Sequence, residues 1–178
     1  MRRFITTGAP GTGKTSLLGE LATFADTIDE PARELIAEHQ ATTGEASLDG
    51  RPELFVERLI ERSLEKYNAA GSGNPIRLYD RGLPDCIAYA RVLGTDASEA
   101  ERMAARYRYE EPVFLLPPWR EIYHVDEMRG AEFWMVEEFH TALVAAYGSF
   151  GYELMVLPNT TISDRAALVR TVISSEDS

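Results

Sequence analysis

Eight consecutive residues constrain this chain more than any other feature. Gly8-Ala9-Pro10-Gly11-Thr12-Gly13-Lys14-Thr15 satisfies the spacing G-x-x-x-x-G-K-[ST] at every position. The spacing has a mechanism: the glycines let backbone N–H groups turn inward around a phosphate, and the helix that follows adds its positive dipole end. Such a loop works only between a strand and a helix. Arg3 to Thr7 is a short apolar run before it, and Leu17, Leu18, Leu21 and Ala22 recur at helical spacing after it. The predicted cradle runs from Gly8 through Ala9, Pro10, Gly11, Thr12, Gly13, Lys14 and Thr15 to Ser16. Lys14 would bridge the outer phosphates, and the Thr15 hydroxyl would ligate Mg²⁺. Only two of the 18 basic residues are lysines, Lys14 and Lys66, so a glycine-rich turn with an incidental lysine is the weaker alternative.

The rest of the chain alternates short apolar runs with amphipathic stretches. Thr23 to Ile28 is a brief apolar piece, and Pro31, suited to a first helical turn, opens a helix over Ala32 to Gln40. Ala41 to Gly50 reads as a loop and Pro52 to Ala69 as an amphipathic helix. Strands are expected at Ile76 to Tyr79, Pro112 to Leu116 and Tyr152 to Leu157. Helices are expected at Asp85 to Leu93, Ser98 to Arg108, Glu132 to Tyr147 and Ser163 to Ile173, while Trp119 to Arg129 has no clean period. This order predicts an α/β fold in three layers, a parallel sheet of about five strands with helices on both faces. A ligand is then expected at the carboxyl ends of the strands.

With 178 residues the expectation is one nucleotide-binding domain over 1–178. The net charge of −11 disfavours nucleic acid or anionic lipid as a partner. No apolar run approaches the roughly 18 residues of a membrane helix, and the N-terminus lacks a secretory pattern, so a cytoplasmic protein is expected. Cys86, the one cysteine, reads as a small buried hydrophobe, and His39, His124 and His140 share no metal-ligand spacing. Oligomeric state is not encoded in any of these features.

A Ras-like guanine motif N-K-x-D is absent, since Lys66 lies in Glu65-Lys66-Tyr67. An oligomeric motor would need paired acids after a strand and a further helical domain. The chain instead resembles the small P-loop kinases, and more closely the compact AAA-type ATP-binding domain family that includes the ribosylnicotinamide kinase domain of NadR. Carrying the resemblance are Gly8 to Thr15, Asp29-Glu30-Pro31-Ala32-Arg33, Tyr79-Asp80-Arg81-Gly82 with Asp85 and Tyr89, Phe114 to Trp119, and Tyr152 to Pro158. Glu30-Pro31 is similar to the acid after the second strand of deoxynucleoside kinases. Asp80-Arg81-Gly82 is similar to their acidic-Arg-Ser motif, with glycine in place of serine.

The resemblance implies a P-loop NTPase fold and phosphoryl transfer from ATP, or GTP, with Mg²⁺ to an unidentified small-molecule acceptor. Glu30 and Asp80 are each expected at the carboxyl end of a strand next to the P-loop strand, so both carboxylates should face the γ-phosphate; Asp80 then acts on Mg²⁺, or is a turn acid. Glu30 is the base or orienter of the acceptor hydroxyl, or merely complements a helix dipole. Arg33 and Arg81 hold the acceptor, or pair with the neighbouring acids. A closing lid at 119–130 would bring Arg120 and Arg129 to the transferred phosphoryl, and Arg120 could instead stack on the adenine. Tyr107, Tyr109 and the apolar stripe of Leu54 to Leu64 either line the acceptor pocket or pack in the core. A nucleotide-dependent switch acting on a protein or lipid partner is the alternative function.

Overall fold

Side chains alternate across a strand, so the sheet's central strand β1 (Arg2–Gly8) must feed two cores. It does: Phe4 enters one hydrophobic cluster and Ile5 the other, both fully buried. The protein is described by a computed structural model over residues 1–43, 51–69, 71, 73–122 and 133–175. Around β1 lie β2 (Asp26–Ile28), β3 (Ile76–Asp80), β4 (Val113–Leu116) and β5 (Leu154–Val156). The order across the sheet is β2-β3-β1-β4-β5, and every pairing is parallel. This is the three-layer α/β architecture expected from the alternation of elements.

On one face α1 (Lys14–Leu21) packs against α7 (Ile162–Ser175), and Leu17, Leu21, Val169 and Ile173 join Phe4, Leu78, Phe114 and Leu116. The other face is covered by α2 (Pro31–Thr43), α3 (Pro52–Asn68), α4 (Leu83–Val92), α5 (Ser98–Arg106) and α6 (Phe133–Ser149). Each large apolar side chain buried this way stabilises the fold by about 1.5–3 kcal/mol. Cys86 is buried in the second cluster, and burial pushes its thiol up to about 12. Tyr109 is buried in the same core, edge-on to Tyr67 and Tyr79. Among the described residues no helix is long and apolar enough to cross a membrane.

Element ends depart from the sequence expectation where backbone bonds, not hydropathy, decide them. Helix α1 stops at Leu21, whose carbonyl accepts from the N–H groups of Phe24 and Ala25. Strand β5 is shorter than Tyr152 to Leu157. The Tyr152 N–H is drawn to the carbonyl of Tyr147 across a turn that Gly151 makes with φ 73°. Helix α4 starts two residues early, with Pro84 in its first turn. Of the expected loop Ala41 to Gly50, Ala41 to Thr43 instead continue α2 and the rest lies outside the described residues; of the stretch 119–130 only Trp119 to Ile122 are described.

Candidate functional site

The sheet delivers two loops side by side. Because β1 and β3 pair with Thr6 opposite Asp80, the loop leaving β1 and the acids ending β3 must share one edge. Gly8 at the turn has φ 147°, and a Cβ there would stand 2.3 Å from the carbonyl oxygen of Leu116 on β4. Only glycine fits so close to a fixed backbone. Gly11 and Gly13 are also left-handed, at φ 74° and 91°. The Thr12 hydroxyl donates to the carbonyl of Ala9 at 2.9 Å, and Lys14 Nζ donates to the same oxygen at 2.9 Å. Lys14, although an ammonium, is 5% exposed. Thr15 and Ser16 are exposed on the first turn of α1.

Asp80 reaches toward this loop, its Oδ2 lying 3.4 Å from the Thr15 hydroxyl. Burial pushes its carboxyl above the ordinary range; Lys14 and Arg81 act against that, while Glu30 and Asp85 add to it. Its Oδ1 is buried without a hydrogen-bond partner. A buried carboxylate oxygen left bare beside a hydroxyl is the hard-oxygen set Mg²⁺ takes, so Thr15 and Asp80 fit such an ion.

The next residue, Arg81, is 3% exposed and has φ 74°, a left-handed backbone that costs a side-chain-bearing residue about 1–3 kcal/mol. Its surroundings hold it there. The N–H donates to Thr6 O at 3.0 Å, Nε donates to Glu30 Oε1 at 2.8 Å, and Nη1 donates to Asp85 Oδ1 at 3.0 Å. Asp85 in turn accepts from the Thr7 hydroxyl at 2.6 Å, the Gly82 N–H at 2.9 Å and the Tyr147 hydroxyl. Burial, with Asp85 next to it, pushes the Tyr147 hydroxyl well up. Strand β1, the turn after β3, α4 and α6 thus meet at one carboxylate. Glu30, two residues beyond β2, also receives the Tyr89 hydroxyl at 3.4 Å. Tyr89 packs against Phe139 and Phe55, with ring centroids at 4.6 and 5.7 Å, and the Arg81 guanidinium lies over the rings of Tyr89 and Phe139.

The structure therefore brings Lys14, Thr15, Glu30, Asp80 and Arg81 together. Arg33 is exposed on α2, and Arg120 is exposed at the start of a 3-10 turn after β4. Arg129 lies outside the described residues. Glycine stands at 82 because a Cβ there would fall 2.3 Å from Ile5 Cδ1 and 3.2 Å from Tyr109. The role of Arg165 escaped the sequence reading. Fully buried in α7, it donates to the carbonyls of Thr12 at 3.0 Å and Pro158 at 2.7 Å and to Asn159 Oδ1 at 3.2 Å. Its guanidinium also lies 5.0 Å from the Trp119 ring. Nothing local in the sequence sets it apart from other helical arginines.

A family model described as an AAA domain matches residues 3–165. No curated protein matches the chain by sequence. Among solved structures, the chain is similar to the NadR protein in complex with NR, with a TM-score of 0.75 at 18% identity. That match covers 98% of this chain and 50% of NadR, so the chain spans about half the length of that protein. It is similar to thymidylate kinase from Ehrlichia chaffeensis, with a TM-score of 0.65 at 17% identity over 97% of this chain and 100% of that one. Deoxyadenosine kinase from M. mycoides, with products dCMP and dCDP bound, matches with a TM-score of 0.61 at 13% identity, covering 98% and 99%. At these identities the likeness is one of fold.

Proposed function

We propose that this chain, which belongs to the AAA domain family, transfers the terminal phosphoryl group of ATP to a hydroxyl of a small molecule. The observation that carries the reading is the juxtaposition of Thr15 and Asp80, 3.4 Å apart at the phosphate loop, with the Glu30–Arg81 pair next to them. A loop alone fits any nucleotide binder; a buried carboxylate beyond the phosphate end supplies what an acceptor needs. The fold shared with NadR, thymidylate kinase and deoxyadenosine kinase supports the same reading.

Backbone N–H groups from Gly11 to Lys14 surround the phosphate tail, and Lys14 exchanges its bond to the Ala9 carbonyl for the outer phosphate oxygens. Thr15 and Asp80 would hold Mg²⁺, which neutralises charge on the transferred group. Glu30 accepts the proton of the acceptor hydroxyl, and Arg81, pinned by Asp85, fixes where the Glu30 carboxylate points. Arg165 keeps Thr12 in register with the Pro158–Asn159 turn and Trp119.

The test is ADP release with Mg²⁺ and ATP across nucleosides, nucleotides and vitamin-like alcohols. Stimulation by one acceptor class is expected. A rate that no acceptor raises above hydrolysis by water removes the kinase reading and favours a nucleotide-dependent switch.

A further inference from the structure

The charges of α3 are sorted by side. Its cations face α2: Arg62 pairs with Glu34 and Glu38, Lys66 pairs with Glu34, and Arg58 lies on the same side, beside Leu35 and Glu38. On another side of the helix a groove of about 430 Å³ opens between α3 and the corner joining α4 to α5, a volume in the range of small-molecule sites. Val56, Ile60 and Leu64 supply its apolar part. Glu53, Glu57 and Glu61 line it from α3, and Asp96 and Glu99 from the corner and α5. No lysine, arginine or histidine is among the lining residues. Glu99 is paired with Arg102 on its own helix, whereas Glu53, Glu57 and Glu61, all exposed, take part in no ion pair among the described residues.

An apolar groove with a rim of one sign takes a cation that also has apolar surface. A bare metal ion does not match, since among the described residues no three acidic, histidine or cysteine side chains are grouped so as to hold one. The charge is instead spread along a line. Glu53, Glu57 and Glu61 recur every four residues, in steps of about 6 Å on a helix rising about 1.5 Å per residue, and an apolar side chain follows each of them three positions on. An alkyl diamine has the same period: five single bonds of about 1.5 Å, extended in a zigzag, set its nitrogens about 6 Å apart with four methylenes between them. Its methylenes can lie on the apolar side chains while its ammonium groups stay in water beside the carboxylates, as a lysine stem and head do. Nine residues line the groove, against about 20–30 a side in a protein interface, so its size favours a small molecule over a protein.

We propose that this groove binds a linear aliphatic polyamine, with its ammonium groups against Glu53, Glu57 and Glu61 and its methylenes on Val56, Ile60 and Leu64. The groove shares no residue with the phosphate loop or with the network of Glu30, Arg81 and Asp85, so its occupancy can be measured without ATP or an acceptor.

The experiment titrates spermidine into the full chain by calorimetry at low salt. One molecule per chain is expected, with a Kd below about 1 mM, and no saturable binding in that range overturns the proposal. The double variant Glu57→Gln, Glu61→Gln, in which both side chains are exposed and the fold is not at stake, should weaken binding by about tenfold or more. As a control, Glu137→Gln with Glu138→Gln removes the same charge from exposed positions on α6 and should change binding less than about twofold. Equal loss in both double variants would mean that spermidine follows the net charge of −11 rather than the groove, and overturns the site. Mg²⁺ at matched ionic strength should displace spermidine no better than NaCl does; stronger displacement by Mg²⁺ shows a site for point charges and overturns the match to a methylene chain. A lysine-rich peptide that binds through Glu57 and Glu61 where spermidine does not would assign the groove to a protein partner instead.

Discussion

The proposed donor and acceptor halves of the site meet where the ends of β1 and β3 pair, yet they are built in opposite ways. On the proposed donor side the binding groups would be backbone N–H groups, and side chains are conspicuous by their smallness: Gly8, Gly11 and Gly13 each take a left-handed φ. On the acceptor side the work falls to side chains from separate elements, with Glu30, Arg81, Asp85, Thr7 and Tyr147 bonded into one buried network. A backbone cradle is contiguous and tolerates few sequences. A side-chain network is scattered over more than a hundred residues and holds together only because every polar atom but a few has a partner.

The comparison can be broken first at Asp85. Asp85→Asn leaves the Arg81 charge with one carboxylate in place of two, and should lower stability by about 3–5 kcal/mol in urea unfolding; a loss below 1 kcal/mol would mean that the network is not cooperative. On the donor side, Lys14→Ala should cut kcat/KM for ATP by about 10²–10³-fold with little change in stability, read by ADP release and thermal melting together. Glu30→Gln should lower transfer by about 10²-fold while calorimetry still shows MgATP binding. Equal loss of ATP binding would place Glu30 in the donor half instead. Gly82→Ser forces Ile5 to move and should cost about 1–3 kcal/mol, a test of whether packing alone keeps glycine there.

The smallest effect lies at His140, the residue after Phe139 on α6. Desolvation holds its imidazole below the ordinary value of 6.5. The neutral ring is favoured in the folded protein, so its contribution is intact above that value and is lost as pH falls from it toward the lower folded value. His140→Gln should flatten the acid limb of the stability–pH curve by well under about 1 kcal/mol. An unaltered acid limb would assign that slope to other groups.

Legibility in the sequence followed the same division. Gly8 to Thr15 could be read directly because every requirement is local, and the alternation of runs such as Arg3 to Thr7 with amphipathic stretches was enough for the layered parallel sheet. Strand order was readable only in part: the strands before Glu30 and Asp80 were both expected beside the P-loop strand, and β3 is, but β2 pairs with β3 instead, because apolar runs carry no address. The acids Glu30 and Asp80 stood out through their position after strands. The bond from Asp85 to Tyr147, 62 residues apart, had no local trace. Arg165 looked like any helical arginine, since what distinguishes it is its burial and the Thr12 carbonyl it meets 153 positions away.

That long reach bears on how the molecule is made. A ribosome delivers the glycine turn well before the guanidinium that steadies Thr12, which comes 153 positions later on α7, with the flanking strand β4 made in between. While those residues are being made the nascent chain has an incomplete anion cradle, and a nucleotide that favours the finished form will preferentially hold molecules in which α7 has docked.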